Sequence, residues 1–397
     1  MKVKSAMISA RIKYNAWDYV FLFWFLTNVL FNHSLIGTVG QAFFMLYSVC
    51  KCLISRNLAT TKVVFFYLIF VFICYLNISL GNSVVPKESK FLLKVLLRNG
   101  IFLYCMFAYV RQLNHIKLSK VFILACVLGS MFMLVYNRIL TGAFVIRDAE
   151  DGLNGNMIAT MDAMAICVIF AMDKWKSIKN IVIIALLILF CILAGTRKAF
   201  IVLILGISIY ILLSQPSKLF SNLSKLAILL CFVYIILLEV PFFYEIIGNR
   251  FESLFSFTQG GDTDASTDSR SHYIELGFYY FLMEPWTGNG ISCFKEMPGV
   301  STYSHNNYIE LLFSVGIPGI ISFYLIHLYI LSQAIKNCRA TANKGAILSI
   351  ALIFSVIVAE YAMVTYHERA ALFYYMMILR FGMVSDRPKV SYTLRNT

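Results

Sequence analysis

The chain has 397 residues, a mean hydropathy of +0.76 and a formal net charge of +14. Apolar runs of 15 to 22 residues recur along almost all of it, long enough to cross about 30 Å of hydrocarbon. That pattern excludes a soluble globular domain. The basic residues sit in short loops between the runs rather than in one patch, which excludes nucleic acid as the partner.

In chain order the predicted spans are 17–31, 35–54, 61–80, 91–110, 121–140, 158–172, 180–195, 198–214, 225–244, 317–335, 345–364 and 369–383. With the N-terminus cytoplasmic, Lys2, Lys4, Arg11 and Lys13 begin inside. The following inside loops carry Lys51, Arg56 and Lys62, then Arg111, Lys117 and Lys120, then Lys174, Lys176 and Lys179, then Lys218 and Lys225, then Lys336, Arg339 and Lys344. The outside loops hold fewer basic residues and most of the acidic ones. This positive-inside bias gives twelve spans with both termini cytoplasmic. A cationic inner face meeting anionic membrane lipids accounts for the charge. The apolar run after residue 16 has no small-residue cleavage site, so no cleavable signal peptide is expected.

The expected fold is therefore all-α, a polytopic integral membrane protein with about twelve transmembrane helices, forming one domain over 1–397. Its large extracytoplasmic loop spans 241–316 and contains short amphipathic helices. The ten cysteines lie mostly inside apolar runs, where thiols behave as small hydrophobes. Cys293 is alone in the large loop, and Cys50-x-Cys52 lacks the further ligands a metal site needs.

The polar exceptions to this pattern carry the chemistry. Arg197 lies between two spans in AGTRKAF. Within the large loop, Asp262, Asp264 and Asp268 lack the glycine and terminal glutamate of a calcium loop, so no metal is expected. Arg270 precedes an amphipathic stretch that runs from Ser271-His272-Tyr273 to Met283 and ends at Pro285, Gly288 and Gly290. Ser304 is placed to cap a helix beginning at His305, with Asn306 and Glu310 one turn apart on its surface. Arg197, Arg270 and His305 all map to the external side. Arginine matches phosphate oxygens with two parallel hydrogen bonds, and a near-neutral histidine is suited to accepting a proton from a sugar hydroxyl. Each of these residues alone is equally explained as a snorkelling or helix-capping group. Arg98, in the fourth span, is the main polar residue away from this face.

These segments resemble the Wzy-type O-antigen and capsular polysaccharide polymerases, within the O-antigen polymerase/ligase superfamily. The resemblance rests on Gly195-Thr196-Arg197, on Arg270 leading to Pro285-Trp286-Thr287-Gly288-Asn289-Gly290, and on His305-Asn306-Asn307-Tyr308-Ile309-Glu310 followed by Gly316-Ile317-Pro318-Gly319. Asn154-Gly155-Asn156 is similar to a family turn that usually reads Asn-Pro-Asn. The resemblance implies a GT-C-like, inverting, metal-independent glycosyltransferase of the bacterial cytoplasmic (inner) membrane with no cofactor. Its donor and acceptor would be oligosaccharides on undecaprenyl pyrophosphate, and a polysaccharide chain-length regulator would be a partner. Arg197 and Arg270 would grip the pyrophosphate and His305 would serve the acceptor. Arg250, Asn306, Glu310, Asn156 and His272 would contact substrate. A ligase transferring glycan to lipid A-core is an alternative, and a lipid-linked glycan flippase is an alternative of a different class.

Overall fold

The computed structural model describes residues 13–30, 34–56, 58, 60–142, 155–172, 177–241, 244, 248, 265–300, 302–341 and 343–383. Among these there are helices and turns and no strand. The helices are α1 (Ala16–Leu30), α2 (Leu35–Ile54), α3 (Lys62–Ser79), α4 (Pro86–Arg111), α5 (His115–Thr141), α6 (Gly155–Ala171), α7 (Ile178–Leu193), α8 (Arg197–Ser214), α9 (Leu219–Glu239), α10 (Ala265–Met283), α11 (Asn307–Thr341), α12 (Lys344–Ala359) and α13 (Arg369–Gly382). Each expected span overlaps one of them, with different ends. Seven are long and apolar enough to cross a membrane, namely α2, α3, α4, α5, α8, α11 and α12, and α6 and α7 are shorter apolar helices. The chain is a polytopic membrane protein.

Local chemistry sets the helix ends. Ser34, Thr61, Asn114 and Asn343 cap α2, α3, α5 and α12 by accepting a backbone N–H, and Pro86 opens α4 where no N–H is needed. The exterior is apolar: Leu35, Ile54, Leu46 and Phe65 are exposed. In water that surface would aggregate, and in a bilayer it meets its own kind. The ten cysteines are all free.

At the centre stands α13, every residue of which is buried. It packs against α1, α4, α5, α11 and α12. Phe373 anchors an aromatic cluster with Phe21, Trp24, Phe25 and Phe122. Its last turn is tied down by Arg380, whose Nε donates to the Leu113 carbonyl at 3.0 Å, and by Asn337, which donates to the Gly382 carbonyl.

Two of the expected spans differ in form. The run 345–364 does not continue as helix. α12 ends at Ala359, a single 3-10 turn follows at Glu360–Ala362, and the chain folds back to enter α13. The reason is a buried polar knot. The Glu360 carboxylate accepts from His327 Nε2 at 3.1 Å, Thr365 Oγ1 at 2.8 Å, Tyr324 Oη at 2.7 Å and the Tyr375 hydroxyl. Asn307 Oδ1 accepts the backbone N–H groups of Thr365 at 2.9 Å and Tyr366 at 3.2 Å. Irregular backbone is tolerated at membrane depth only when the protein satisfies it in this way. The second difference is that 317–335 is the far arm of α11, a helix broken at Gly316.

Glu360 thus binds α11, α12 and α13 together. Glu360→Ala, which strips one acceptor from several buried donors, is expected to destabilise the bundle by about 3 kcal/mol. Glu360→Gln, which keeps the shape and part of the acceptor capacity, should cost less. Thermal unfolding of the detergent-solubilised protein checks this, and equal melting midpoints for all three proteins would refute it.

Candidate functional site

The site is built on the break in α11. In a regular helix the N–H of residue 317 would reach the carbonyl of 313, and that of 318 the carbonyl of 314. Pro318 has no N–H, and Gly316 adopts φ +63°, ψ −162°. Two carbonyls and one N–H are therefore released, and the Pro285–Gly290 turn takes all three. Asn289 N donates to Phe313 O at 2.7 Å, Gly290 N donates to Ser314 O at 3.0 Å, and Ile317 N donates to Pro285 O at 2.9 Å. The approach is so close that a Cβ at Gly288 would lie 2.5 Å from Val315 N, and one at Gly316 would lie 2.5 Å from Pro285 O. Both residues also have positive φ, so glycine is needed twice over. Asn77 of α3 donates to the Thr287 carbonyl, and Val84 N donates to Asn289 O at 3.0 Å, fixing the turn to the bundle.

α10 runs into this turn and crosses the near arm of α11 at Gly277, where a Cβ would lie 2.2 Å from Ile309. Tyr273, Cys293, Phe294 and Phe313 form a small second core there. Arg270 is half-buried in the second turn of α10. α10 exposes Phe278, Tyr279 and Leu282 while burying Tyr273 and Phe281, so its apolar residues lie on both sides rather than on the single face that the amphipathic reading expects.

The near arm of α11 begins at Asn307, and Asn306, not Ser304, is its cap. Asn306 Oδ1 accepts from Tyr308 N at 2.9 Å and Ile309 N at 3.2 Å. Ser304 instead closes a tight turn, with its Oγ donating to Asn306 O at 2.8 Å and its N–H donating to Glu310 Oε2 at 2.9 Å. Asn306 and Glu310 are therefore not surface residues. They are 2% and 3% exposed, and their polar atoms are spent on the chain itself. The capping side chain outcompetes Ser304 because its carbonyl reaches two N–H groups at once. Between these braces His305 is held at φ +57°, a left-handed conformation uncommon for a residue with a side chain. Its ring lies against that of Tyr303, with centroids 4.0 Å apart.

Beside them opens a cavity of about 300 Å³ lined by Asn156, Met157, Lys198, Tyr303, Ala362, Met363, Val364, His367 and Glu368. Asn156 comes from the start of α6 and Lys198 from the start of α8, and the rest of the wall is the fold-back after α12. Burial and the nearby charges of Arg270 and Lys198 push the His305 imidazole down to about 4. Burial, followed by the Glu368 carboxylate, raises the Tyr303 phenol.

The structure thus brings His305 and Arg270 together electrostatically, and it adds Lys198, Tyr303, His367 and Glu368, which the sequence reading passed over. Lys198 stood in the shadow of its neighbour Arg197, although adjacent cations at a helix start were a signal. His367-Glu368-Arg369, a charged triplet between two apolar runs, was another. Arg197 opens α8 half-buried beside Lys198. His272 is exposed on α10 near Gly299 and away from the cavity lining. Arg250, Asn154, Asp262 and Asp264 lie outside the described residues.

His305 is neutral in the unliganded protein above about pH 4. An anion that neutralises Arg270 and Lys198 removes part of the push, so the midpoint should rise on adding inorganic pyrophosphate, and rise likewise in Arg270→Ala. Histidine-selective NMR across pH 3 to 8, set by that midpoint of about 4, measures it. A midpoint near the ordinary 6.5 in the free protein, unmoved by either change, would contradict the geometry.

A comparison with curated protein sequences finds no match. Residues 182–324 match the family model described as O-antigen ligase. That stretch runs from α7 into the far arm of α11 and contains Arg197, Lys198, Arg270, His305 and both halves of the glycine-proline contact. The likeness covers this stretch, which is less than half of the chain.

Proposed function

We propose that the protein polymerises lipid-linked oligosaccharide repeat units by inverting glycosyl transfer at the outer face of the bacterial cytoplasmic membrane. The donor is a glycan on undecaprenyl pyrophosphate, and its diphosphate lies against Arg270, Lys198 and Arg197. A hydroxyl of the acceptor repeat unit attacks the anomeric carbon. As that bond forms, the bond from the anomeric carbon to the diphosphate breaks and its electron pair leaves with the phosphate oxygen. The hydroxyl proton passes to the His305 imidazole. Fixed cations suit this leaving group because they stabilise charge that develops in the transition state without needing to donate a proton. No cofactor takes part.

The observation that carries the reading is the His305 ring stacked on Tyr303, a wall of the cavity that Lys198 also lines, with the charges of Arg270 and Lys198 bearing on it. In the empty site His305 is a weak base. A bound diphosphate cancels the neighbouring charge and restores basicity when substrate is present. This arrangement couples proton acceptance to donor binding. The stretch 182–324, with its likeness to O-antigen ligases, also favours a second reading, transfer of finished glycan to lipid A-core. Polymerase is preferred on the Phe- and Ile-rich composition.

Arg270→Ala and His305→Ala are each expected to lower polymerisation on the order of a hundredfold or more while leaving the folded protein intact. Arg270→Lys should also fail, since a planar fork becomes a point charge. Purified protein supplied with lipid-linked repeat units in EDTA measures this directly. Near-normal chain length in either alanine variant, or turnover lost to EDTA and restored by a divalent ion, would overturn the mechanism. In cells lacking the gene, surface glycan stopping at one repeat supports polymerase, whereas long polymer retained on its carrier supports ligase.

A further inference from the structure

The cavity beside His305 carries a carboxylate that the diphosphate chemistry does not use. Lys198 suits a phosphate, but Glu368 lines the same cavity and would repel one. The rest of the lining includes an amide, Asn156, a phenol, Tyr303, and an apolar strip from Ala362 to Val364. The volume, about 300 Å³, is at the small end of ligand cavities. It has room for one sugar ring and not for an oligosaccharide.

The wall that bears Glu368 is built in advance. Asn307 Oδ1 accepts the N–H groups of Thr365 at 2.9 Å and Tyr366 at 3.2 Å. The Glu368 N–H donates to Thr365 O at 3.0 Å, and Asn99 of α4 donates to the His367 carbonyl at 2.8 Å. The segment from Thr365 to Glu368 is thus pinned through its backbone to α11 and α4. Glu368 is the cap residue of α13, yet its side chain makes no capping bond to that helix. The carboxylate lies 3.5 Å from His367 Nε2, and the Glu368 side chain is 13% exposed. Tyr303 lines the cavity as well, and its ring centroid is 4.0 Å from that of His305. A group held against Tyr303 therefore sits one ring away from the imidazole.

We propose that this cavity is the acceptor subsite, that it takes one neutral sugar ring, and that Glu368 is the residue that selects it. This rests on the reading of the protein as a glycosyltransferase and is the same for polymerase and ligase. A carboxylate accepts hydrogen bonds from sugar hydroxyls through both oxygens, and the Asn156 amide both donates and accepts. The apolar strip Ala362–Val364 suits the C–H face of the ring. The same carboxylate acts by repulsion. It turns away the donor diphosphate, and with it any acidic sugar, so the two substrates do not exchange places. A ring hydroxyl beside Tyr303 is then presented to His305.

Saturation-transfer NMR of the full chain in phosphatidylcholine nanodiscs tests this, with the methyl glycosides of glucose, galactose, mannose and N-acetylglucosamine as probes. At least one should receive saturation, and inorganic pyrophosphate should leave it bound. Glu368→Gln, which keeps the shape but not the charge, should weaken its affinity about tenfold. Ala362→Phe, which fills the cavity, should abolish the signal while the pyrophosphate-induced rise of the His305 midpoint persists. Melting curves of both variants show that the loss is not unfolding. The proposal falls if no probe binds, or if both variants bind as the wild type does. It falls also if pyrophosphate displaces the glycoside, since the cavity is then the diphosphate site. With lipid-linked repeat units added, the bound glycoside should be extended, which mass spectrometry detects as a larger methyl glycoside. A glycoside that binds but is never extended while the repeat units polymerise would assign the cavity to the donor sugar and overturn the proposal. Glycoside binding that needs Glu368, with no transfer to any acceptor, would leave the sugar site standing and refute the transferase reading instead.

Discussion

Within hydrocarbon every backbone N–H and C=O must find a partner inside the protein. The break in α11 is where this chain meets that demand at its sharpest. Pro318 and Gly316 free the carbonyls of Phe313 and Ser314 and the N–H of Ile317, and the turn between Pro285 and Gly290 donates to both carbonyls and accepts the N–H. The consequence reaches well beyond the turn. α10, which carries Arg270, ends at one side of the break, while the near arm of α11, which His305 precedes, begins a few residues upstream of it. The two arms also touch at Gly277 and Ile309. Arg270 and His305 therefore ride on one rigid unit, and their spacing is set by backbone hydrogen bonds rather than by flexible side chains.

Two kinds of buried polar group can be told apart in this structure by where their hydrogen bonds go. Glu360, Asn306, Asn307 and Glu310 are bonded to the chain itself, and they hold the fold-back and the His305 turn in shape. Lys198 and Arg270 add an excess of positive charge beside His305, with Glu368 as the carboxylate near Lys198. In a medium of low dielectric that excess attracts anions strongly, because little water is present to screen it.

Hydropathy alone made the helices legible, since runs such as 62–79 and 178–193 have no other stable state in a bilayer. The glycine and proline motifs were legible as interruptions. What they bond to was not, because the partnership of Asn289 with Phe313 joins segments that only the tertiary fold brings together. The end of α12 was hidden for a different reason. Tyr361, Met363 and Val364 read as more span, and only the hydrogen bonds around Glu360 in the folded bundle turn them aside. Arg270 and His305 were found from residue type and spacing. Glu368 and Lys198 were not, because a charge at a helix boundary is ambiguous until the opposite wall of the cavity is known.

The burial of α13 carries a consequence for biogenesis. This helix fills the centre of the bundle, yet it is synthesised after every helix that surrounds it. Phe21, Trp24, Phe25 and Phe122 present their core faces to the space that Phe373 fills only after α6 to α12 have been made. The insertion machinery must therefore keep the early helices apart, or let them pair loosely, until α13 slides in. Arg369 and Arg380, at its two ends, are charged handles that set how deep it comes to rest.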